Sequence, residues 1–215
     1  MNSEKIYEEV KYNSGNKLPY YYDDPIDIFL KKICDILNPY FFNIGITPNI
    51  ITTLSFLFGL LSCFLYYKNL YILSSISFLI SYYFDVMDGY FARIYNMRSK
   101  FGSYYDFITD TLIGLLFFYL IIINKKIIKL KLINIKFLII FIFITLYLLS
   151  VYHFSCQEKY TKNTNKINVS EGLFMLKYIN CNDVSIMKYT RYFGTGFLSI
   201  FFVFVIFLHI FFTKK

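Results

Sequence analysis

Long apolar runs separated by short polar links dominate the chain. Residues 46–67, 70–84, 105–123, 137–154 and 191–212 each read as a continuous Leu/Ile/Phe/Tyr stretch, and polar links fall at 68–69, 94–104, 124–136 and 157–190. Helical runs of roughly 18 or more apolar residues cross a hydrocarbon core about 30 Å thick, so the pattern predicts five membrane spans. The second run is short. Its residues 70–84 cover about 22 Å at 1.5 Å per residue, which places Asp85 near the far interface and not at the midplane.

Ahead of the spans lies a different pattern. In "DDPIDIFLKKICDILNPYFFN" the apolar residues Ile26, Phe29, Leu30, Ile33, Leu37 and Phe41 recur at helical spacing, with Lys31, Lys32 and Asp35 between them. Such a helix, about 25–44, suits the plane of a membrane interface; packing on protein is an equal reading. Asp24 is a good N-cap, and Pro25 suits the first helical position. Thr47-Pro48 marks the start of the first span, because the residue before a proline is pushed out of the helical region. Residues 1–23 are polar and Tyr-rich, lack the apolar core of a signal peptide and read as a flexible arm. The fold class expected is all-α. It is a polytopic membrane helical bundle of five to six spans over residues 24–215, preceded by the amphipathic helix.

Composition supports this. The chain is 57% hydrophobic and 17% charged, against about 45–50% and 25% for soluble domains. The net charge of +8 fits basic loops on an anionic leaflet or the handling of anionic substrates. Lysine and arginine are more numerous on the side that holds the 93–104 and 157–191 links, which places that side in the cytoplasm. The sequon at 168–170 would then go unused. Cys34, Cys63, Cys156 and Cys181 show no metal-ligand spacing and are expected to be reduced and inert. For His153 and His209 a satisfied polar contact is the default.

The stretch 85–110 breaks the apolar pattern with four aspartates. Each carboxylate in a membrane helix costs on the order of 2.5–3.5 kcal/mol, so an unpaired set needs a reason. Asp85 and Asp88 are spaced i, i+3, and Asp106 and Asp110 are spaced i, i+4, so each pair shares one helix face. The link 94–105 can reverse the chain and bring the faces together. Four carboxylates with no thiolate or imidazole nearby suit hard divalent cations such as Mg²⁺ or Mn²⁺, and a metal pair commonly clamps a phosphoryl centre. Gly89 and Gly102 leave room for a ligand, and Arg93 is in reach of a phosphate. The bland alternative is a set of flanking charges or interhelical salt bridges, which the ordered spacing of acids, glycines and arginine argues against.

Asp85-x2-Asp88-Gly89-x2-Ala92-Arg93-x8-Gly102-x3-Asp106-x3-Asp110 resembles the full signature of the CDP-alcohol phosphatidyltransferase family. "PNIIT" (48–52) is similar to the motif that opens the family's first span. The resemblance covers about 24–123. It implies an enzyme of phospholipid biosynthesis: a CDP-linked lipid donates its phosphatidyl group to an alcohol hydroxyl, and CMP leaves. Asp85, Asp88, Asp106 and Asp110 would hold two ions, Mg²⁺ or Mn²⁺, with Asp110 also the general base. Gly89, Arg93 and Ser99 would contact the CDP part, Asn49 and Thr52 would close its pocket, and Gly102 would allow close packing. The family usually has six spans, so either 172–193 hides a broken one or the C-terminal part is remodelled.

"NMRSKFG" leans toward the inositol and serine synthases of the family, with CDP-diacylglycerol as donor and inositol, serine or glycerol 3-phosphate as acceptor. The alternative is a choline/ethanolamine phosphotransferase using a CDP-aminoalcohol and diacylglycerol. An anionic acceptor would want Arg98, Lys100, Lys188 or Arg191, each more often a plain interface charge. "GTG" (194–196) could line a phosphate, but packing at a helix start is the commoner role. A cation transporter would spread its acids through the bilayer depth, and an inactive scaffold would not need every signature position. The expected partners are membrane lipids and the two substrates; a second copy of the chain is allowed, and no nucleic acid is expected. The membrane would be the endoplasmic reticulum in a eukaryote or the inner membrane in a bacterium.

Overall fold

The computed structural model describes residues 15–123, 133–163 and 181–213, and all regular structure among them is helical. Helix α1 (Pro25–Asn43) is followed by α2 (Pro48–Tyr67), α3 (Tyr71–Ile94), α4 (Lys100–Ile123) and α5 (Ile133–Asn163). A broken segment then runs through the single turn α6 (Met187–Thr190) to α7 (Thr195–Thr213). The apolar stretches 48–67, 100–123, 140–161 and 184–208 are each long and apolar enough to cross a membrane. The remaining long helix, α3, has 24 residues but carries Asp85, Asp88 and Arg93. The chain is an integral membrane protein.

Local chemistry sets the helix starts as the sequence implies. Asp24 caps α1 by accepting from the Ile26 amide at 2.8 Å, and Pro25 sits in its first turn. Thr47 is the extended residue before α2, with Pro48 inside the helix. Helix α5 runs past the expected end at 154 because its polar last turns find partners: Gln157 meets His153 at 3.0 Å, and Lys159 donates to the Cys181 carbonyl at 2.7 Å. Residues 181–193 form short turns, and the rest of the stretch 172–193 lies outside the described residues. The candidate surface helix at 172–179, the sequon and most of the basic 124–136 link lie outside the described residues, as does the side chain of His209.

The α2–α3 pair is built on small residues. Ser55, Gly59 and Ser62 on α2 face Ser81 and Ser74 on α3. Ser62 Oγ donates to the Ser74 carbonyl at 2.6 Å, and Ser81 Oγ to the Ser55 carbonyl at 2.8 Å. A Cβ on Gly59 would stand 2.9 Å from Ile113 Cγ1 and 3.1 Å from Ser81 Oγ. Small residues let helix backbones approach closely in lipid, where no hydrophobic force drives helices together. The same face of α2 continues to Thr52, and the seven-residue repeat Ser74–Ser81 on α3 continues to Asp88. Toward the other end, Tyr66, Phe117, Phe202, Val205 and Ile206 form an apolar core that joins α7 to the pair.

Two expectations change. Cys156 and Cys181, expected to be reduced, form a disulfide with Cα atoms 5.1 Å apart. Cys181 lies against the end of α5, and both cysteines are buried with Leu18 and Met187. Cys34 and Cys63 are free and buried, and burial pushes the Cys34 thiol up to about 11, which keeps it unreactive. The arm expected to be flexible over 1–23 is described from Gly15 onward, and that portion is packed, with Leu18 only 1% exposed.

Candidate active site

Helices α3 and α4 meet head to tail across the 95–99 link and bring the acidic pairs together. Single carboxylate oxygens of Asp85, Asp88 and Asp106 lie within 4.8 Å of one another, and the Asp85 carboxyl also lies against that of Asp110. Asp88 is buried, Asp85 and Asp106 are half-buried, and Asp110 is exposed. Asp106 Oδ1 is buried and accepts no hydrogen bond. A buried carboxylate oxygen without a donor is costly. An orphaned oxygen facing other carboxylates, with no sulfur or imidazole in the group, fits a hard divalent cation.

The predicted pocket residues surround this group. Thr52 Oγ1 donates to Asp88 Oδ2 at 2.5 Å. The Arg93 guanidinium folds back over Gly89, where a Cβ would stand 3.2 Å from its Nη1. Gly102 packs on two further members of the set: its amide donates to Ser99 Oγ at 3.0 Å, and a Cβ there would be 2.9 Å from Asn49 Oδ1. Thr53 Oγ1 and the Tyr105 hydroxyl, 3.0 Å apart, tie α2 to α4 beside it. The structure therefore gathers Asp85, Asp88, Asp106, Asp110, Asn49, Thr52, Gly89, Arg93, Ser99 and Gly102 around one end of α2–α4.

Helix α1 leans on this end through its acids. Asp27 accepts from the Tyr82 hydroxyl, and Asp35 from the Tyr90 hydroxyl at 2.7 Å. Burial, offset in part by Lys31, raises the Asp27 carboxyl to about 7. Asp24 reaches across to α7, where its Oδ2 accepts from the Gly196 amide at 3.1 Å. A Cβ on Gly196 would lie 2.7 Å from Ile26 Cβ, so "GTG" serves helix packing. His153 is satisfied by Thr190 at 2.9 Å and by Gln157.

Of the candidates for an anionic acceptor, Arg98, Lys100 and Lys188 are exposed. Arg191 stacks over the Tyr20 and Tyr192 rings with its Nε buried and unpartnered. Sequence reading missed the contact of the arm with the site. Gly15 presents its carbonyl to Arg93 Nε at 2.7 Å. A glycine in an otherwise polar arm is a weak signal, and the pairing spans 78 residues.

The model of one protein family, CDP-alcohol phosphatidyltransferase, matches residues 45–212. An archaetidylinositol phosphate synthase of Pyrococcus horikoshii is 37% identical over 70 residues, 33% of this chain and 37% of that protein. An uncharacterized protein of Aquifex aeolicus is 35% identical over 83 residues, 38% of this chain and 42% of that protein. The chain thus matches well under two thirds of the length of these curated relatives. No solved structure matches. The family match covers most of the chain, and the chain belongs to the CDP-alcohol phosphatidyltransferase family.

Proposed function

We propose that this family member transfers a phosphatidyl group from CDP-diacylglycerol to a hydroxyl of a small polar alcohol, with release of CMP. The observation that carries the reading is the convergence of Asp85, Asp88 and Asp106 within 4.8 Å beside an arginine and two glycines that leave ligand space. Bound at Asp85, Asp88, Asp106 and Asp110, two divalent cations, Mg²⁺ or Mn²⁺, would offset the charge of the donor diphosphate and stabilise the developing charge.

The chain's own groups divide the remaining work. Thr52 holds the Asp88 carboxylate in one orientation. Arg93, Gly89, Asn49, Ser99 and Gly102 shape the cytidine-diphosphate pocket, and Arg93 supplies cationic N–H donors. Asp110, the exposed acid, takes the proton of the acceptor hydroxyl. The acceptor oxygen then bonds to the phosphorus attached to the lipid alcohol, the bond from that phosphorus to CMP breaks, and CMP carries the electron pair away. Placing the site at one end of the bundle lets acyl chains stay in lipid while the alcohol arrives from water.

Among acceptors, the partial likeness to an archaetidylinositol phosphate synthase favours a phosphate-bearing inositol. The lysine and arginine bias supports a cytoplasmic site. The Cys156–Cys181 disulfide lies at the same face, and thiol-reducing compartments disfavour disulfides. Its sulfurs are at most 1% exposed, which shields them from reductants.

The test is CMP release by the purified protein given CDP-diacylglycerol with inositol phosphate, inositol, serine or glycerol 3-phosphate, and separately CDP-choline with diacylglycerol. Metal-dependent release with inositol phosphate is expected. Silence in every arm sinks the reading, and release only with CDP-choline moves the chain to the aminoalcohol branch.

A further inference from the structure

Residues 15–24, the described part of the arm, precede the family-matched region, which begins at 45, yet they reach the active site. The Gly15 carbonyl accepts a hydrogen bond from Arg93 Nε at 2.7 Å, across 78 residues of sequence. The seat is close. Gly15 adopts φ +95°, and a Cβ there would lie 2.8 Å from Ile94 Cγ1 and 3.6 Å from Tyr90 Cε2. Glycine takes that backbone conformation at no steric cost and leaves the room the contact needs, so residue type and contact agree.

The rest of the arm holds that carbonyl in place from α5 and α1. Leu18, three residues on, is buried with Cys156, Cys181 and Met187. The Pro19 carbonyl closes a turn by accepting from the amides of Tyr22 and Asp23 at 2.9 and 3.2 Å. Tyr22 packs edge-on against Tyr160 of α5 with ring centroids 5.6 Å apart, and Asp23 ion-pairs with Lys31 of α1. Tyr90, beside Gly15, is itself tied to α1 through Asp35. The arm is therefore a brace from α5 and α1 to α3, and its hydrogen bond to α3 falls on Arg93.

An arginine side chain loses rotamer freedom when it grips a ligand, and a partner that fixes it beforehand removes that cost from binding. Gly15 engages Nε alone. The guanidinium turns Nη1 over Gly89, 3.2 Å from where a Cβ would stand, and Gly89 directly follows Asp88, one of the three converging acids. The guanidinium is thus kept over the glycine next to that group, with its terminal amino groups left for oxyanions. We propose that Gly15 is a positioning residue of the active site, whose carbonyl preorganises Arg93 to bind the diphosphate of the cytidine donor. This rests on the transferase reading above, in which Arg93 belongs to the cytidine-diphosphate pocket. A packing role alone would not discriminate between ligands with and without phosphate.

The experiment uses the purified full-length protein with Mg²⁺. Equilibrium binding of CDP and of cytidine is measured for wild type, Gly15→Ala, Arg93→Met and the double variant, with thermal midpoints to check folding. In Gly15→Ala the added Cβ and the positive φ displace the carbonyl. CDP binding should then weaken about tenfold, with cytidine unaffected. In the Arg93→Met background the same substitution should change CDP binding less than about twofold, because the contact it breaks is already gone. If Gly15→Ala does not fold, Leu18→Ala, which loosens the arm at its buried anchor, goes through the same cycle under the same criteria. Overturning results are CDP binding within about twofold of wild type, equal losses of CDP and cytidine, or a loss carried undiminished into the Arg93→Met background. If the wild type binds CDP but releases no CMP with any acceptor, the transferase reading fails while the CDP cycle still decides the role of Gly15. A wild type that does not bind CDP overturns both.

Discussion

Thr52 and Asp88, 36 residues apart in sequence, are joined by a hydrogen bond from Thr52 Oγ1 to Asp88 Oδ2 at 2.5 Å. The contact is the last rung of the small-residue seam, so helix packing and site geometry are one construction. A donor behind a metal-ligating carboxylate fixes its orientation, and losing it typically costs about 10–100-fold in metal affinity or activity. Thr52→Val keeps the shape and removes the donor. The concentration of Mn²⁺ giving half-maximal activity should rise at least about tenfold, with the thermal midpoint little changed.

Gly102 and Gly114 lie on the same helix and provide a matched pair. A Cβ at Gly102 meets Asn49 Oδ1 at 2.9 Å and Ser99 Oγ at 3.0 Å, whereas one at Gly114 meets nothing within 4 Å. Gly102→Ala should raise the KM for the CDP-linked donor several-fold, and Gly114→Ala should leave it unchanged. Equal effects in steady-state kinetics would remove Gly102 from the donor pocket.

Asp27 gives a pH dependence with a definite sign. Its carboxyl is raised from 3.8 to about 7 in the folded chain, so the folded state holds a proton there that the unfolded state has released. Stability should be highest near pH 4 for this group and fall as pH rises to about 7. Thermal midpoints measured across that window should flatten in Asp27→Asn, unlike the sloping profile of the wild type.

The disulfide closes a loop between residues 25 positions apart. Cross-links of this kind contribute typically about 2–4 kcal/mol. Cys156→Ser should lower the thermal midpoint, and mass analysis of the unreduced protein should find Cys156 and Cys181 linked while Cys34 and Cys63 alkylate after unfolding. Four alkylated thiols in the unreduced protein would contradict the pairing.

What the sequence revealed was what local spacing controls. Asp24-Pro25 and Thr47-Pro48 announced two helix starts. The acidic pairs announced shared faces, and the 94–105 link allowed those faces to meet. What stayed hidden depends on contacts between distant residues. The Ser/Gly seam is legible only once α2 and α3 are known to be antiparallel. The Cys156–Cys181 link joins residues 25 positions apart that no local spacing connects. The polar last turns of α5 look like loop until Gln157 and Lys159 meet their partners. The packed part of the arm is unreadable because Gly15 and Asp23 gain their meaning from Arg93 and Lys31.

The most direct measurement is CMP release from CDP-diacylglycerol by wild type and Asp110→Asn side by side, with Mg²⁺ or with chelator. The account predicts release by wild type only when the metal is present. Asp110→Asn should lose that release while still binding CDP. Release that survives chelation, or near-normal turnover by Asp110→Asn, would contradict a metal-dependent transfer in which Asp110 takes the acceptor's proton.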